Sequence, residues 1–246
     1  MRTAHDQLAK QALRVLLEPA GSVHLEQEVA GEVLRIDVWF TPDPGADRAA
    51  LGLLGRMVDR PCLIESFSKT PGVQTGRDCA GKLLSWHRVL RIRARASAGA
   101  TSKVTAGPVP LPRLWVLSPG SPRDALAGLG LAPALGWPEG VHVAAPAWRL
   151  AVVVLADLPR QRSTLPLRLL GRGQTQREAV ADLVVLPSDA PERMPLLRLI
   201  GRLRIHVAAH SHQRHQEFLM NTKPAFELLE AELIEKGIEK GIEKGI

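Results

Sequence analysis

Two apolar stretches of this chain each carry one carboxylate, and any fold must accommodate both. The first reads Val33-Leu34-Arg35-Ile36-Asp37-Val38-Trp39-Phe40 and the second Pro61-Cys62-Leu63-Ile64-Glu65-Ser66-Phe67. Their β-branched and aromatic residues mark them as strands of a buried sheet. An ionised carboxylate alone in an apolar interior is costly, so each acid must be paired, ligate a metal or point out of the core. Arg35 and Arg60 stand close enough in sequence to serve as salt-bridge partners, and a solvent-facing position would also satisfy either acid.

The pattern around these strands predicts an α/β (α+β) fold. Residues 5–18 place Leu8, Ala12, Leu13, Leu16 and Leu17 at helical spacing, and Pro19 stops the helix. Ser22–Val29 and Val33–Phe40 read as strands around the hairpin signal Ala30-Gly31, and 47–58 as a short helix. After the third strand, Cys62–Phe67, a long helix is expected over Gln74–Arg95. A Gly/Ala/Ser/Thr/Pro-rich loop covers 97–110. Strands follow at Leu114–Leu117, Val141–Val143 and Leu150–Leu155, with a short helix at Pro122–Leu129. The continuous apolar run Leu150–Leu155 suits burial on both faces. This order gives a mixed sheet core flanked by helices. From Leu165 the period turns helical, with Pro187 and Pro191 separating two helices. The expected organisation is a sheet core over 1–160, a helical appendage over 161–220 and a tail over 221–246.

Charge and cysteine usage narrow the partners. The net charge is +7; residues 101–220 carry 14 Lys and Arg against 8 Asp and Glu, and the tail 4 against 6. A basic body suits a polyanion such as DNA, although Arg usage in an Ala- and Gly-rich chain is equally a matter of composition. Cys62 and Cys79 have no metal-knuckle spacing and fit free thiols in a reducing cytosol. No apolar signal core opens the chain and no run of about 18 apolar residues exists, so no membrane partner and a cytoplasmic location are expected.

The tail holds three copies of Glu-Lys-Gly-Ile from Glu235 to Ile246. A period of four sets Ile234, Ile238, Ile242 and Ile246 in a slowly drifting helical stripe. Each Gly costs a helix ~1 kcal/mol relative to Ala. The segment is therefore either a solvated tail or, packed against a copy of itself, a stub for homo-oligomers.

A helix, a strand bearing Asp, a strand bearing Glu and a second helix resemble the layout of the PD-(D/E)XK nuclease superfamily. The opening His5-Asp6-Gln7-Leu8-(x)-Lys10 is similar to the start of bacterial proteins related to recombination-promoting nucleases and putative transposases. RIDVWF, LGLLGRM at 51–57, CLIESF and LRLLGRG at 167–173 look like an uncharacterised branch of that group. Its members often end in Glu/Lys/Gly-rich repeats, which draw flagellar-assembly labels by composition alone. The likeness spans roughly 5–200.

The resemblance implies Asp37 and Glu65 as ligands of Mg2+ (or Mn2+), with Asp6 as a supporting acid, in an enzyme that hydrolyses DNA phosphodiesters. Sequential strands usually neighbour one another, so the two carboxylates would converge, and a divalent cation would relieve their repulsion. Mg2+ held by one or two carboxylates, waters and a phosphate oxygen fits that arrangement.

One position departs from the pattern. The superfamily places Lys two residues after the Glu, and this chain has Phe67. Lys69, Lys82 or Arg77 would have to bring the cation from elsewhere, and Lys69 and Lys82 are the leading candidates. A degenerate, non-cleaving protein that binds DNA or a protein partner is the alternative.

Other features have plain explanations beside functional ones. Asp6 is as well placed to cap the first helix, and Lys10 suits a solvated helix face. His206, His210, His212 and His215 lack an acid or Cys at ligand spacing. Arg88, Arg91, Arg93 and Arg95 could track phosphates or simply favour a helix C-terminus. Gly171-Arg172-Gly173 reads as a turn into a helix, since no Gly-Lys-Ser/Thr follows it.

Overall fold

The computed structural model describes residues 4–29, 34–98, 108–209 and 216–244. Its helices are α1 (Ala4–Leu17), α2 (Leu53–Met57), α3 (Val73–Ala98), α4 (Arg123–Gly128), α5 (Leu165–Arg168), α6 (Gly173–Val184), α7 (Arg193–Ala209), α8 (Gln216–Asn221) and α9 (Lys223–Lys244). Its strands are β1 (Gly21–Val29), β2 (Leu34–Pro42), β3 (Cys62–Ser66), β4 (Arg113–Ser118), β5 (Ala132–Pro133), β6 (Val141–Val143) and β7 (Leu150–Val154). The chain divides into two compact units. One comprises Leu17–Asp47 and Met57–Pro159; the other comprises Met1–Leu16, Arg48–Arg56 and Arg160–Ile246.

The first unit is built on a seven-stranded sheet in the order β1-β2-β3-β4-β7-β6-β5. β1 pairs antiparallel with β2 and β2 with β3; β3, β4 and β7 are mutually parallel; and β6 pairs antiparallel with both β7 and β5, so the sheet is mixed. The parallel step from β3 to β4 is carried by α3, as a parallel connection requires a long crossover. β3 and β7 are buried at every residue, which explains the unbroken apolar run of β7 and the apolar start of β3.

Helix α3 begins just after Pro71-Gly72, where the Gly76 amide donates to the Gly72 carbonyl. Cys79, Leu83 and Trp86 recur at helical spacing and pack on Leu63, Leu114 and Val116 of the sheet. Trp39 of β2 meets Trp86 edge-on at 5.6 Å between ring centres, a geometry favoured by the ring quadrupoles.

The segment 47–58 is less regular than one helix. A 3-10 turn at Ala49–Leu51 passes through Gly52, at φ 55°, before α2 starts. The two-residue strand β5 was not foreseen, because Ala132-Pro133 has too little pattern to read.

The second unit is helical. α7 and α6 both pack on α9. A Cβ at Gly201 of α7 would come within 2.5 Å of Leu229 Cδ2 on α9, so the two helices approach where only glycine fits. The stretch from Leu165 is broken into α5 and α6 at Gly171-Arg172-Gly173, with Arg172 at the N-cap and Gly173 at φ 56°. That is the turn the sequence suggests.

Ion pairs tie this unit together. Arg168, 2% exposed, donates to Asp182 at 2.6 Å, and Arg160 donates to the same carboxylate. Arg193 meets Glu232 at 2.7 Å, and Arg162 pairs with Glu192. Part of the basic surplus of 101–220 is therefore spent inside the unit.

The tail is helical through Lys244, and Ile234 and Ile238 are exposed. The side chains of Ile242 and Ile246 lie outside the described residues. So do those of His210, His212 and His215, while His206 is an exposed residue of α7. Among the described residues no helix is long and apolar enough to cross a membrane.

Candidate functional site

The two acids stand on neighbouring strands. Val38 pairs with Ile64 and Trp39 with Leu63, so one further step in the same register sets Asp37 opposite Glu65. Alternation along β3 turns Leu63, Glu65 and Phe67 to the face covered by α3. Glu65 is 1% exposed, which rules out the solvent-facing alternative for this acid.

Each carboxylate is held by the other residue's strand. The Asp37 amide donates to Glu65 Oε1 at 3.2 Å, and the Ser66 amide donates to Asp37 Oδ2 at 3.1 Å. A further partner of Glu65 comes from α3: Lys82 Nζ donates to Glu65 Oε2 at 2.6 Å. That short charge-assisted bond accounts for the burial of Glu65. Arg35 and Arg60 serve other acids, Arg35 lying 3.9 Å from Glu26 and Arg60 3.9 Å from Asp59.

Phe67 lies just beyond β3 and packs on the apolar cluster beneath α3. Two residues after Glu65 the chain thus has a side chain packed against the core, and the ammonium beside Glu65 comes from the helix. Lys82 can do this because it adjoins Leu83 and follows Cys79 by three residues, at the margin of the helix face laid on the sheet. Lys69 is exposed, beyond the end of the strand, and Arg77 is exposed on α3. Neither is brought to the acids. Asp6 and Lys10 belong to α1, and the side chain of Asp6 lies outside the described residues.

Two neighbours of the site were not foreseen. Cys79 is buried beside it; burial and the charge of Glu65 push its thiol up, so it is a poor nucleophile. Glu26 takes a left-handed backbone, φ 54°, between Leu25 and Gln27, whose partners Val38 and Ile36 flank Asp37. The ladder is therefore interrupted opposite Asp37. No feature of the sequence His24-Leu25-Glu26-Gln27 marks such a break.

Burial, and then the charge of Asp37, push the Glu65 carboxyl up to about 7, with Lys82 pulling the other way. For Lys82, burial opposes the charge, but the charge and hydrogen bond of Glu65 outweigh it and hold the ammonium above its ordinary value. The 2.6 Å contact keeps Lys82 charged. Glu65 is then the member that gains a proton as pH falls.

A stability test follows from the sign of that shift. Between 4.5, the ordinary value for this carboxyl, and about 7, the folded chain binds the proton that the unfolded chain has released. Stability from this group is complete below 4.5 and is lost as pH rises through about 7. Relative to Glu65→Gln, the protein should lose up to about 1 kcal/mol per pH unit across that window in urea unfolding. A difference that stays flat would mean that Glu65 is ionised throughout.

Two carboxylates and no thiolate or imidazole suit a hard, hydrated cation such as Mg2+ or Mn2+ better than Zn2+. Among the described residues no group of three or more His, Cys, Asp and Glu is placed to hold a metal. A cation here would therefore keep much of its water, as Mg2+ ordinarily does. Comparison with protein-family models, with curated proteins and with solved structures gave no match to this chain.

Proposed function

We propose that this chain is a metal-dependent DNA endonuclease of the PD-(D/E)XK type, of the recombination- or transposase-associated kind, hydrolysing phosphodiester bonds. The observation that carries the reading is the meeting of Asp37, Glu65 and Lys82: two acids from adjoining strands and an ammonium from the following helix. Asp37 and Glu65 would hold Mg2+ or Mn2+, which when bound polarises the phosphoryl group and lowers the pKa of its water. The two backbone amides fix the direction of the carboxylates, so little rearrangement is needed on binding. Lys82 neutralises Glu65 across the 2.6 Å contact. Lys82 would supply positive charge to the scissile phosphate, where charge builds in the transition state.

Purified protein incubated with supercoiled plasmid and Mg2+ or Mn2+ is expected to nick it. Nicking should vanish in chelator and in both Asp37→Ala and Glu65→Ala. Intact plasmid after incubation with a folded protein would overturn the reading. One observation favours a second reading, a nuclease fold that binds DNA or a protein partner without cutting. The Glu65–Lys82 pair is already satisfied as a buried salt bridge, and such pairs also occur for purely structural reasons. That alternative keeps partner binding in chelator and in Glu65→Ala.

A further inference from the structure

Three neighbouring parallel strands are each entered through an arginine. Arg113 opens β4 beside Cys62 of β3, and Arg60 lies two residues before Cys62. Arg149 immediately precedes β7, and its carbonyl accepts from the Leu114 amide at 2.9 Å. Three guanidinium groups therefore gather at the leading edge of β3, β4 and β7. Like charges brought together cost free energy, and the cost shows: burial, and then the charge of Arg149, lower the pKa of Arg113.

The cluster is poorly neutralised from within. Asp59 is the acid that faces it, and it lies 3.9 Å from the exposed Arg60. Among the described residues neither Arg113 nor Arg149 has a carboxylate within ion-pair distance. The Nε of Arg149 is buried and has no hydrogen-bond partner. Arg149 also takes a left-handed backbone, φ 51° and ψ 25°, which a residue with a long side chain rarely adopts. Strain of this kind persists where surrounding structure imposes it, and it gathers at ligand sites.

Aromatic rings accompany the cations. The Arg113 guanidinium lies 5.3 Å from the ring centre of Trp115, a cation–π contact that helps to orient it. Trp148, next to Arg149, is 56% exposed. Planar guanidinium forks match phosphate oxygens, and an exposed indole offers a stacking face for a base.

We propose that Arg113, Arg149 and Trp148, with Arg60 at the margin, form a binding site for single-stranded nucleic acid, taking phosphate on the arginines and a base on the indole. This site is separate from the acid pair. Arg113 lies three residues before Val116, the register partner of Glu65, or ~10 Å along the strand. It also shares the face of Trp115, turned away from α3. The proposal rests on these residues alone and stands whether or not Asp37 and Glu65 hold a metal.

The test is fluorescence anisotropy with a short labelled single-stranded oligonucleotide, in chelator so that cleavage cannot intervene. Arg149→Gly, Arg113→Gln and Trp148→Ala are each expected to weaken binding about tenfold. Glycine fits the backbone at 149, so that variant should melt no lower than the native protein, and its result stands if Arg113→Gln fails to fold. Unchanged affinity in Arg149→Gly would overturn the proposal. So would displacement of the probe by pyrophosphate as effectively as by unlabelled oligonucleotide with no effect of Trp148→Ala, since the site would then hold phosphate alone. Preference for an acidic peptide over the oligonucleotide would assign the surface to a protein partner and overturn it as well.

Discussion

Replacing Lys82 by methionine is expected to lower metal-dependent plasmid cleavage by about 10²–10³-fold, the usual effect of losing one group that stabilises transition-state charge. Lys69→Met should leave cleavage unchanged, because Lys69 is exposed beyond the end of β3. The Lys82 variant has a second signature that tells catalysis from architecture. Without the ammonium at 2.6 Å, the buried Glu65 loses its ion-pair partner beside the charge of Asp37, and the fold is destabilised. A divalent ion then replaces the missing charge, so Mn2+ should raise the melting temperature of Lys82→Met more than that of the native protein. If Lys82 is only a structural partner of Glu65, the variant loses stability equally with and without Mn2+. The double variant Glu65→Gln/Lys82→Met would then recover it.

The second large effect lies in the helical unit. Asp182→Ala should cost roughly 3 kcal/mol of stability, because it strands a buried charge. Arg168 is 2% exposed and Asp182 is the acid it meets, at 2.6 Å; its Nη1 already has no partner. Arg160, which shares Asp182, is exposed and can turn to water. Asp182→Asn, which keeps an acceptor but not the charge, should cost less. Urea unfolding measures both. A loss below about 1 kcal/mol for Asp182→Ala would mean that water reaches Arg168, as at an exposed pair.

The strands and the long helix were legible because burial writes itself into the sequence. β7 is apolar at every residue and β3 opens with Cys62-Leu63-Ile64, and α3 repeats Cys79, Leu83 and Trp86 at helical spacing. The acids of the site were legible for the same reason, being the carboxylates set within apolar runs. Their partner was not. Lys69 shares the parity of Glu65, and only the end of β3 at Ser66 removes it. Lys82 is decided by how α3 lies across the sheet, which no local pattern encodes. The arginine cluster was hidden for a related reason. Arg60, Arg113 and Arg149 are far apart in sequence and meet only through the parallel register of β3, β4 and β7. Conversely, Arg168 and Arg193, which count toward the basic surplus of 101–220, are internal ion-pair partners.

Everything proposed for Asp37 and Glu65 depends on their holding one cation together. Mn2+ titration followed by electron paramagnetic resonance, on the native protein beside Asp37→Asn and Glu65→Gln, measures that directly. One bound ion per chain, lost in each variant while the fold is retained, is the predicted result. No bound ion in the native protein, or the same binding in all three, would make Asp37, Glu65 and Lys82 a buried structural network and not a metal centre.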